Sequence, residues 1–214
     1  MKKEHLEVLT QAEQAAYYEV PDFNETQHYE FLTLDQSELD LVMSRSSWSA
    51  RVHCCLQIAY FKAVNLFFKV TWSEVSNKTI KFILEQYFYD QSIKLSKITD
   101  YEYYTQCAAI ARLCGFQMWE SQFSDSLLNK ANELAKLNIN QQFIALELLT
   151  YLKQQKIIRP QYTTLQSLII IAINSEKSRI NKLLMEQITP EESRLILALI
   201  SNESTLSELA AIKQ

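Results

Sequence analysis

Apolar residues recur along most of the chain with the spacing of an α-helix rather than that of a β-strand. The clearest example lies between residues 47 and 68, where Val52, Leu56, Ala59, Ala63 and Leu66 follow one another at helical offsets. Such a stripe predicts one helix face packed against a core. The same pattern predicts helices at residues 10–18, 33–45, 47–68, 72–90, 99–114, 124–136, 140–156, 163–186 and 190–201, with a further short one near 205–213. The pattern therefore predicts an all-α fold.

Threonine followed three residues later by Glu or Gln marks most of these helix starts. In this capping box, the two side chains each accept a hydrogen bond from an otherwise unpaired backbone N–H. The start at Thr189 is reinforced by Pro190 at the first helical position, and Gly115 has the place of a helix stop after Cys114. The predicted boxes are Thr10/Glu13, Thr33/Gln36, Thr71/Glu74, Thr99/Glu102, Thr163/Gln166, Thr189/Glu192 and Thr205/Glu208.

A polar passage from Glu120 to Ser126 is the clearest interruption of the helical pattern. We therefore predict a first helical module at residues 1–123 and a second at residues 124–214. The last residues read as an incomplete helix, so we expect the second module to be truncated at its C-terminal end.

The second module contains a candidate helix-turn-helix element. Arg159 and Pro160 interrupt the chain before a helix that opens with Thr163, Thr164 and Gln166. In such an element the first turn of the second helix reads base edges in DNA. The apolar run at residues 168–173 is more typical of a core helix, so both interpretations stay open.

The composition excludes several classes of protein. The chain has one glycine and three prolines, which is too few for a β-rich fold or a glycine-rich phosphate loop. Its four cysteines form no Cys-x-x-Cys pair and its three histidines lack the spacing of a zinc site. No nucleophile stands in a recognisable pairing with a base. We therefore expect a cytoplasmic, non-enzymatic chain without metal or cofactor, and no apolar run is long enough for a membrane span.

The net charge of −4 conceals a strong asymmetry along the chain. Residues 1–44 hold ten acidic side chains against two lysines, whereas residues 45–97 hold eight basic against three acidic side chains. A second basic excess lies at residues 150–182, with six basic side chains against one glutamate. Two locally basic segments therefore remain candidates for contact with nucleic acid.

Arg51, Lys62 and Lys69 are eleven and seven residues apart, so on a continuous helix they share one face. A cationic row of this kind can follow a phosphate backbone. Arg45, just before the helix start, could hold a phosphate beside the unpaired N–H groups. The alternative is that these long side chains reach solvent along a mostly buried helix.

Three segments of the sequence are informative because of the order in which they follow one another along the chain. The first runs from residue 17 to residue 62, and the others are CAAIARLCGFQMW at 107–119 and LLTYLKQQKIIRPQYTTLQSLI at 148–169. Within the first, the notable features are the Phe31–Leu34 helix start, Arg45 in the following turn, Arg51 before the long helix, Leu56-Gln57 within it, and Lys62.

In this order the segments resemble the N-terminal DNA-binding region of the Tn-three family of replicative transposases, over about residues 11–200. The resemblance implies a bacterial chain that binds double-stranded DNA at the transposon terminal inverted repeats. It further implies that Arg45, Arg51, Lys62 and Lys69 hold phosphates, and that Arg159, Thr163, Thr164 and Gln166 help to read bases. The catalytic acidic triad of these DDE-type enzymes lies in a C-terminal remainder, which we expect as a partner.

The sequence also departs from the family pattern. His53 replaces a glycine, Asn65-Leu66-Phe67 replaces a glycine-arginine pair, and Arg45 is the one arginine left in a turn that usually has several. These changes remove phosphate-binding capacity. The alternative function is therefore a helical protein-interaction scaffold that binds no nucleic acid, with basic segments that face solvent or pair with the acidic first 44 residues.

Overall fold

The computed structural model of the protein describes residues 8–89 and 94–189, together with residues 191, 192 and 194. Within these ranges the chain forms helices, and one isolated parallel β-bridge joins Gln117 to Ile157. The predicted all-α fold is confirmed. The helices are α1 (Gln11–Tyr18), α2 (Glu25–Phe31), α3 (Gln36–Met43), α4 (Trp48–Val64), α5 (Asn77–Tyr87), α6 (Asp100–Leu113), α7 (Ser124–Leu137), α8 (Gln141–Gln154) and α9 (Tyr162–Gln187), with a short 3-10 turn at Ser121–Phe123.

Several helix ends lie where the sequence predicted them. The capping boxes of Thr10 with Glu13 and of Thr99 with Glu102 are both formed. Thr189 and Glu192 exchange the same hydrogen bonds. Gly115 ends α6 with a left-handed backbone (φ 72°), a conformation that glycine adopts without the strain of a Cβ atom.

Other predicted starts are wrong because different residues cap the helices. The Thr33 hydroxyl donates to the carbonyl of Tyr29, and α3 begins after Asp35, which forms a capping box with Glu38. Helix α2 was not predicted, although Asn24 and Gln27 cap it in the same way. The Thr71 and Thr163 boxes do not start helices, since α5 follows Ser76 and α9 follows Gln161. The predicted Thr205 box lies outside the described residues.

The long predicted helix at 47–68 is shorter in the structure. Asn65 takes a left-handed conformation (φ 56°) and its N–H closes the last turn on the carbonyl of Phe61. Asparagine tolerates this conformation better than most residues. The predicted helix at 205–213 lies outside the described residues, as does that at 190–201 except for residues 191, 192 and 194, which are helical.

Helix α4 is the centre of a first hydrophobic cluster and packs against α2, α3, α5 and α6. Most of its length is buried, including polar residues such as His53 and Gln57. Val52, Leu56 and Ala59 of the predicted stripe are fully buried. Since so much of this helix is removed from water, each of its polar groups needs a partner inside the protein.

His53 has such partners in a buried polar network. Its Nδ1–H donates to Gln106 Oε1 at 2.7 Å, because an amide oxygen can only accept. Its Nε2 then accepts from Gln57 Nε2 at 3.2 Å. Gln57 also donates to the carbonyl of Phe68 at 2.7 Å and accepts from the Phe68 N–H at 3.1 Å. The network ties α4 to α6 and to the segment that follows α4, and it requires a neutral imidazole.

Helices α7, α8 and α9 form a second hydrophobic cluster, in which α7 and α9 pack along each other. Val8, Leu9 and Tyr17, from the start of the chain, belong to this cluster. The N-terminal segment therefore packs on the second half of the sequence. The predicted division at residues 1–123 and 124–214 stays a prediction, and α1 makes its apolar contacts across it.

The two clusters meet at the segment 157–162, where Ile157 belongs to the second cluster and Ile158 to the first. Gln117 donates to the carbonyl of Lys156 at 2.8 Å and accepts from the Ile158 N–H at 2.9 Å. The Tyr17 hydroxyl donates to the carbonyl of Pro160 at 2.6 Å, and the Tyr162 N–H donates to the Tyr18 hydroxyl at 3.1 Å. Residues distant in sequence therefore meet at this junction.

Acid should destabilise the fold through His53. Burial lowers the pKa of this imidazole below its ordinary value of 6.5, against a smaller opposite effect of its hydrogen bond to Gln106 and of the Glu102 charge. The unfolded chain therefore takes up a proton at higher pH than the folded chain. At pH values under about 6.5, we expect the free energy of unfolding to decrease as the pH is lowered, by up to about 1.4 kcal/mol per pH unit. Urea denaturation between about pH 5 and pH 7.5 measures this, above the range of the carboxylates.

His53→Gln is the variant that isolates this effect, because glutamine keeps a donor and an acceptor but does not titrate. Burial also lowers the pKa of His28, whose Nε2 lies 2.9 Å from Thr79 Oγ1, so His28→Gln is the matched variant. A loss of stability in acid that is unchanged in His53→Gln would contradict the assignment.

Candidate nucleic-acid interface

Two arginines meet at the amino end of α4. The Arg51 Nε donates to the carbonyl of Arg45 at 3.0 Å, and its guanidinium lies 4.9 Å from the centre of the Trp48 ring. The Arg45 Nε donates to the carbonyl of Leu41 at 3.2 Å. Backbone acceptors and an aromatic face therefore hold both side chains in place. We call Arg45, Ser47, Trp48 and Arg51 the arginine end of α4.

The arginine end of α4 is positively charged. Among the described residues, neither Arg45 nor Arg51 forms an ion pair. The first turn of α4 contains no acidic residue, so the positive end of the helix dipole adds to the two charges. Glu102 also lines the shallow cleft of about 300 Å³ beside Arg45; its carboxylate accepts hydrogen bonds from Thr99 and lies beyond ion-pair distance of both arginines. An anion such as a phosphate suits this end of the helix.

Lys62 has a partner within the chain. Its Nζ lies 2.6 Å from Glu38 Oε2 and donates to the carbonyl of Thr33 at 2.8 Å. The Glu38 side chain is only 8% exposed and that of Lys62 is 27% exposed. A carboxylate this deeply buried needs a compensating charge. Lys62 supplies this charge. The ion pair also joins the acidic segment 1–44 to the basic segment 45–97.

Lys69 does not lie on α4, because the helix ends at Val64. The predicted stripe of Arg51, Lys62 and Lys69 along one continuous helix is therefore wrong. The Lys69 Nζ instead forms an ion pair with Asp100 at 2.8 Å, with both side chains more than half exposed. This contact lowers the pKa of Asp100 and raises that of Lys69. Exposed pairs of this kind contribute little to stability and exchange readily.

Arg159 lies at the junction between the two hydrophobic clusters. Its guanidinium carbon is 3.6 Å from the centre of the Tyr17 ring, and its Nη2 donates to the Tyr17 carbonyl. Its buried Nε has no hydrogen-bond partner in the part of the chain that the structure describes. Burial lowers the pKa of this guanidinium, which still remains charged at neutral pH. The contacts hold the side chain flat against Tyr17.

Thr163, Thr164 and Gln166 lie in the first two turns of α9. Thr163 is exposed, and the other two are half-buried. Seven residues, 155–161, separate α8 from α9, whereas a helix-turn-helix usually has a turn of about three or four. The apolar run at 168–173 is largely core, with Leu168, Ile169, Ala172 and Ile173 buried. The polar start of α9 therefore lies next to the junction, whereas the apolar run that follows packs in the second hydrophobic cluster.

A groove of about 600 Å³ lies at this junction and brings together Lys69 and Arg159. We call it the tyrosine groove. It is lined by aromatic residues from separate parts of the chain, among them Tyr17, Tyr18, Phe67, Tyr103, Tyr104 and Trp119. The groove was not predicted, since no periodic pattern in the sequence links these positions. A local signal was the aromatic stretch at residues 101–104, of which Tyr103 and Tyr104 line the groove and Tyr104 is exposed.

The arginine end and the tyrosine groove adjoin opposite sides of the start of α6. Tyr101 and Glu102 line the cleft of Arg45, whereas Tyr103 and Tyr104 line the groove. The structure therefore gathers Arg45 and Arg51 at one place and Lys69 and Arg159 at another, with α6 between them. Lys62 belongs to neither place.

Two further findings concern metal ions and membranes. Among the described residues, no three His, Cys, Asp or Glu side chains are grouped so that they could hold a metal ion. In the same part of the chain, every helix is too short or too polar to pass through a bilayer.

A family described as a domain of unknown function, DUF4158, matches residues 8–172. The matched region includes the arginine end, the tyrosine groove and the first part of α9. A comparison with curated proteins found no match.

The Lys62–Glu38 ion pair can be tested by a double-mutant cycle with Lys62→Met and Glu38→Gln. Lys62→Met leaves a buried carboxylate unpaired and should lower the free energy of unfolding by roughly 2 kcal/mol, less than the ~3–5 kcal/mol of a fully buried pair because Lys62 is partly exposed. We expect a coupling energy of about 1–2 kcal/mol in urea denaturation. Lys130→Met, which removes the exposed pair with Glu133, is the matched control. Additive effects of the two substitutions would show that the pair contributes nothing.

Proposed function

The chain belongs to the DUF4158 family, and from this premise we propose that it is a non-catalytic DNA-binding part of a Tn-three family transposase. Domains of this family are found in such transposases. In the proposal the chain binds double-stranded DNA at the terminal inverted repeats of the transposon. The C-terminal remainder of the transposase supplies the catalytic acidic residues, and the complex acts in the bacterial cytoplasm.

The arginine end of α4 is the observation that carries this proposal. Arg45 and Arg51 are held in fixed positions next to the unpaired N–H groups of the helix start, without a carboxylate partner among the described residues. Arginine side chains and helix amino ends are among the groups that contact DNA phosphates. Trp48, which is 49% exposed, holds the Arg51 guanidinium in place.

The structure also changes which residues we assign to DNA. We leave Lys62 out of the phosphate contacts because it compensates the buried charge of Glu38. Lys69 remains a candidate, since its exposed pair with Asp100 can exchange for a phosphate. Thr163, which is exposed at the start of α9, remains a candidate for base contact, with Thr164 and Gln166 half-buried beside it.

One observation favours the alternative, a protein-interaction scaffold without nucleic acid. Two of the predicted phosphate contacts, Lys62 and Lys69, are paired with carboxylates of the same chain. If the remaining cations merely face solvent, the chain has no preference for DNA. The two functions differ in their salt dependence, because each phosphate that a protein neutralises releases bound counterions from DNA.

Arg51→Ala should weaken binding of a terminal-repeat duplex and reduce the slope of log affinity against log salt by about one. Arg45→Ala should have a similar effect, and the two together should reduce the slope by about two. Fluorescence anisotropy with a labelled duplex at several salt concentrations measures both quantities. A scrambled duplex tests whether the end sequence is preferred.

Arg112→Ala is the matched control for these variants. Arg112 is also exposed and unpaired among the described residues, but it lies in the last turn of α6, away from Arg45. Lys62→Met, studied where it remains folded, should keep the duplex affinity and slope of the unsubstituted protein. Absence of duplex binding at low salt, or equal losses in Arg51→Ala and Arg112→Ala, would favour the scaffold.

A further inference from the structure

The tyrosine groove contains two aromatic rings that are presented to solvent and held in position. Tyr18 is 55% exposed and Tyr104 is 60% exposed. Each is supported by the tyrosine before it, with ring centres 5.3 Å apart for Tyr17 and Tyr18 and 5.2 Å apart for Tyr103 and Tyr104. Both pairs meet edge to face. Of the supporting rings, Tyr17 is buried and Tyr103 is half-buried.

The charge of the groove has one sign. Lys69 and Arg159 line it, and none of the described residues that line it is acidic. The Arg159 guanidinium is held against Tyr17, while the Lys69 side chain is 58% exposed and, among the described residues, is paired with the exposed Asp100. The groove therefore suits a ligand that combines planar rings with negative charge.

We propose that the tyrosine groove binds an unpaired nucleotide of a DNA strand, with its base stacked on Tyr104 and its phosphate beside Lys69. Stacked aromatic side chains next to cations are how proteins hold single-stranded nucleic acid. A volume of about 600 Å³ is in the range of small-ligand sites. An uncharged aliphatic ligand would form no ion pair with the two cations, and a phosphate alone would not stack on the rings.

A duplex cannot use these rings, because its bases are stacked within the helix and must leave it to be bound. The inference rests on the proposed function in one respect, that the strand comes from a transposon end. The arginine end of α4 lies on the other side of the start of α6. A duplex held there could place an unpaired nucleotide from its terminus in the groove.

The test uses a short single-stranded oligothymidylate with one central 2-aminopurine, whose fluorescence falls when it stacks. The protein should bind this probe and quench it. Tyr104→Ala should weaken the affinity for the probe by about five- to a hundredfold and abolish the quenching. Tyr104→Phe keeps the ring and should retain both. Duplex affinity should change less than about twofold in either variant.

Tyr29→Ala is the matched control, because Tyr29 on α2 is 63% exposed and lies outside the groove. Like Tyr104 it has an edge contact with one aromatic ring, that of Phe82. Lys69→Ala should reduce the salt slope for the single strand by about 0.7, the value expected for one phosphate contact. Thermal denaturation of each variant confirms that it is folded.

The outcomes separate this inference from the proposed function. If the duplex binds through Arg51 but the single strand does not bind, or binds equally to Tyr104→Ala and to Tyr29→Ala, the groove is not a nucleotide site. If the single strand binds through Tyr104 while the duplex does not bind, the groove assignment stands and the role of the arginine end is lost.

Discussion

Burial of α4 is the constraint on which the rest of the structure depends. A helix packed on most sides by α2, α3, α5 and α6 has few places for polar side chains, so each one must find a partner or reach an end of the helix. His53 and Gln57 are satisfied by Gln106 and by the backbone of Phe68. Lys62 is used to compensate Glu38. The remaining arginine, Arg51, lies at the amino end, where it meets Arg45.

The position of the candidate sites follows from this arrangement. Arg45 and Arg51, which form no ion pair among the described residues, lie at the amino end of α4, where the helix dipole is also positive. The chain then folds back after Asn65, so that Phe68 bonds to Gln57 and Lys69 reaches Asp100 at the start of α6. The segment 157–162 closes on Tyr17 and Tyr18. The tyrosine groove forms where these segments meet.

Sequence alone could predict most helices, because their apolar spacing is a local signal, and the threonine caps of α1 and α6 are local signals as well. Helix α2 was not predicted because its cap is an asparagine rather than a threonine. The predicted helix at 47–68 extends past the observed end of α4, because the left-handed conformation of Asn65 does not change the apolar spacing from which the helix was predicted. Arg45 and Arg51 could be predicted as site residues, but the partner of Lys62 is 24 residues away and the groove joins five separate segments. Such contacts depend on packing that no local pattern encodes.

The central claim is that the arginine end of α4 contacts DNA, and hydrogen–deuterium exchange of the protein with and without a terminal-repeat duplex tests it most directly. At the start of α4, the N–H groups of Trp48 and Ser49 have no hydrogen-bond partner among the described residues, whereas those of Ala50 and Arg51 donate to Ser47. The claim predicts slower exchange at residues 48 and 49 on binding, with α8 unchanged. Binding without protection of residues 48 and 49, or protection confined to other helices, would contradict it.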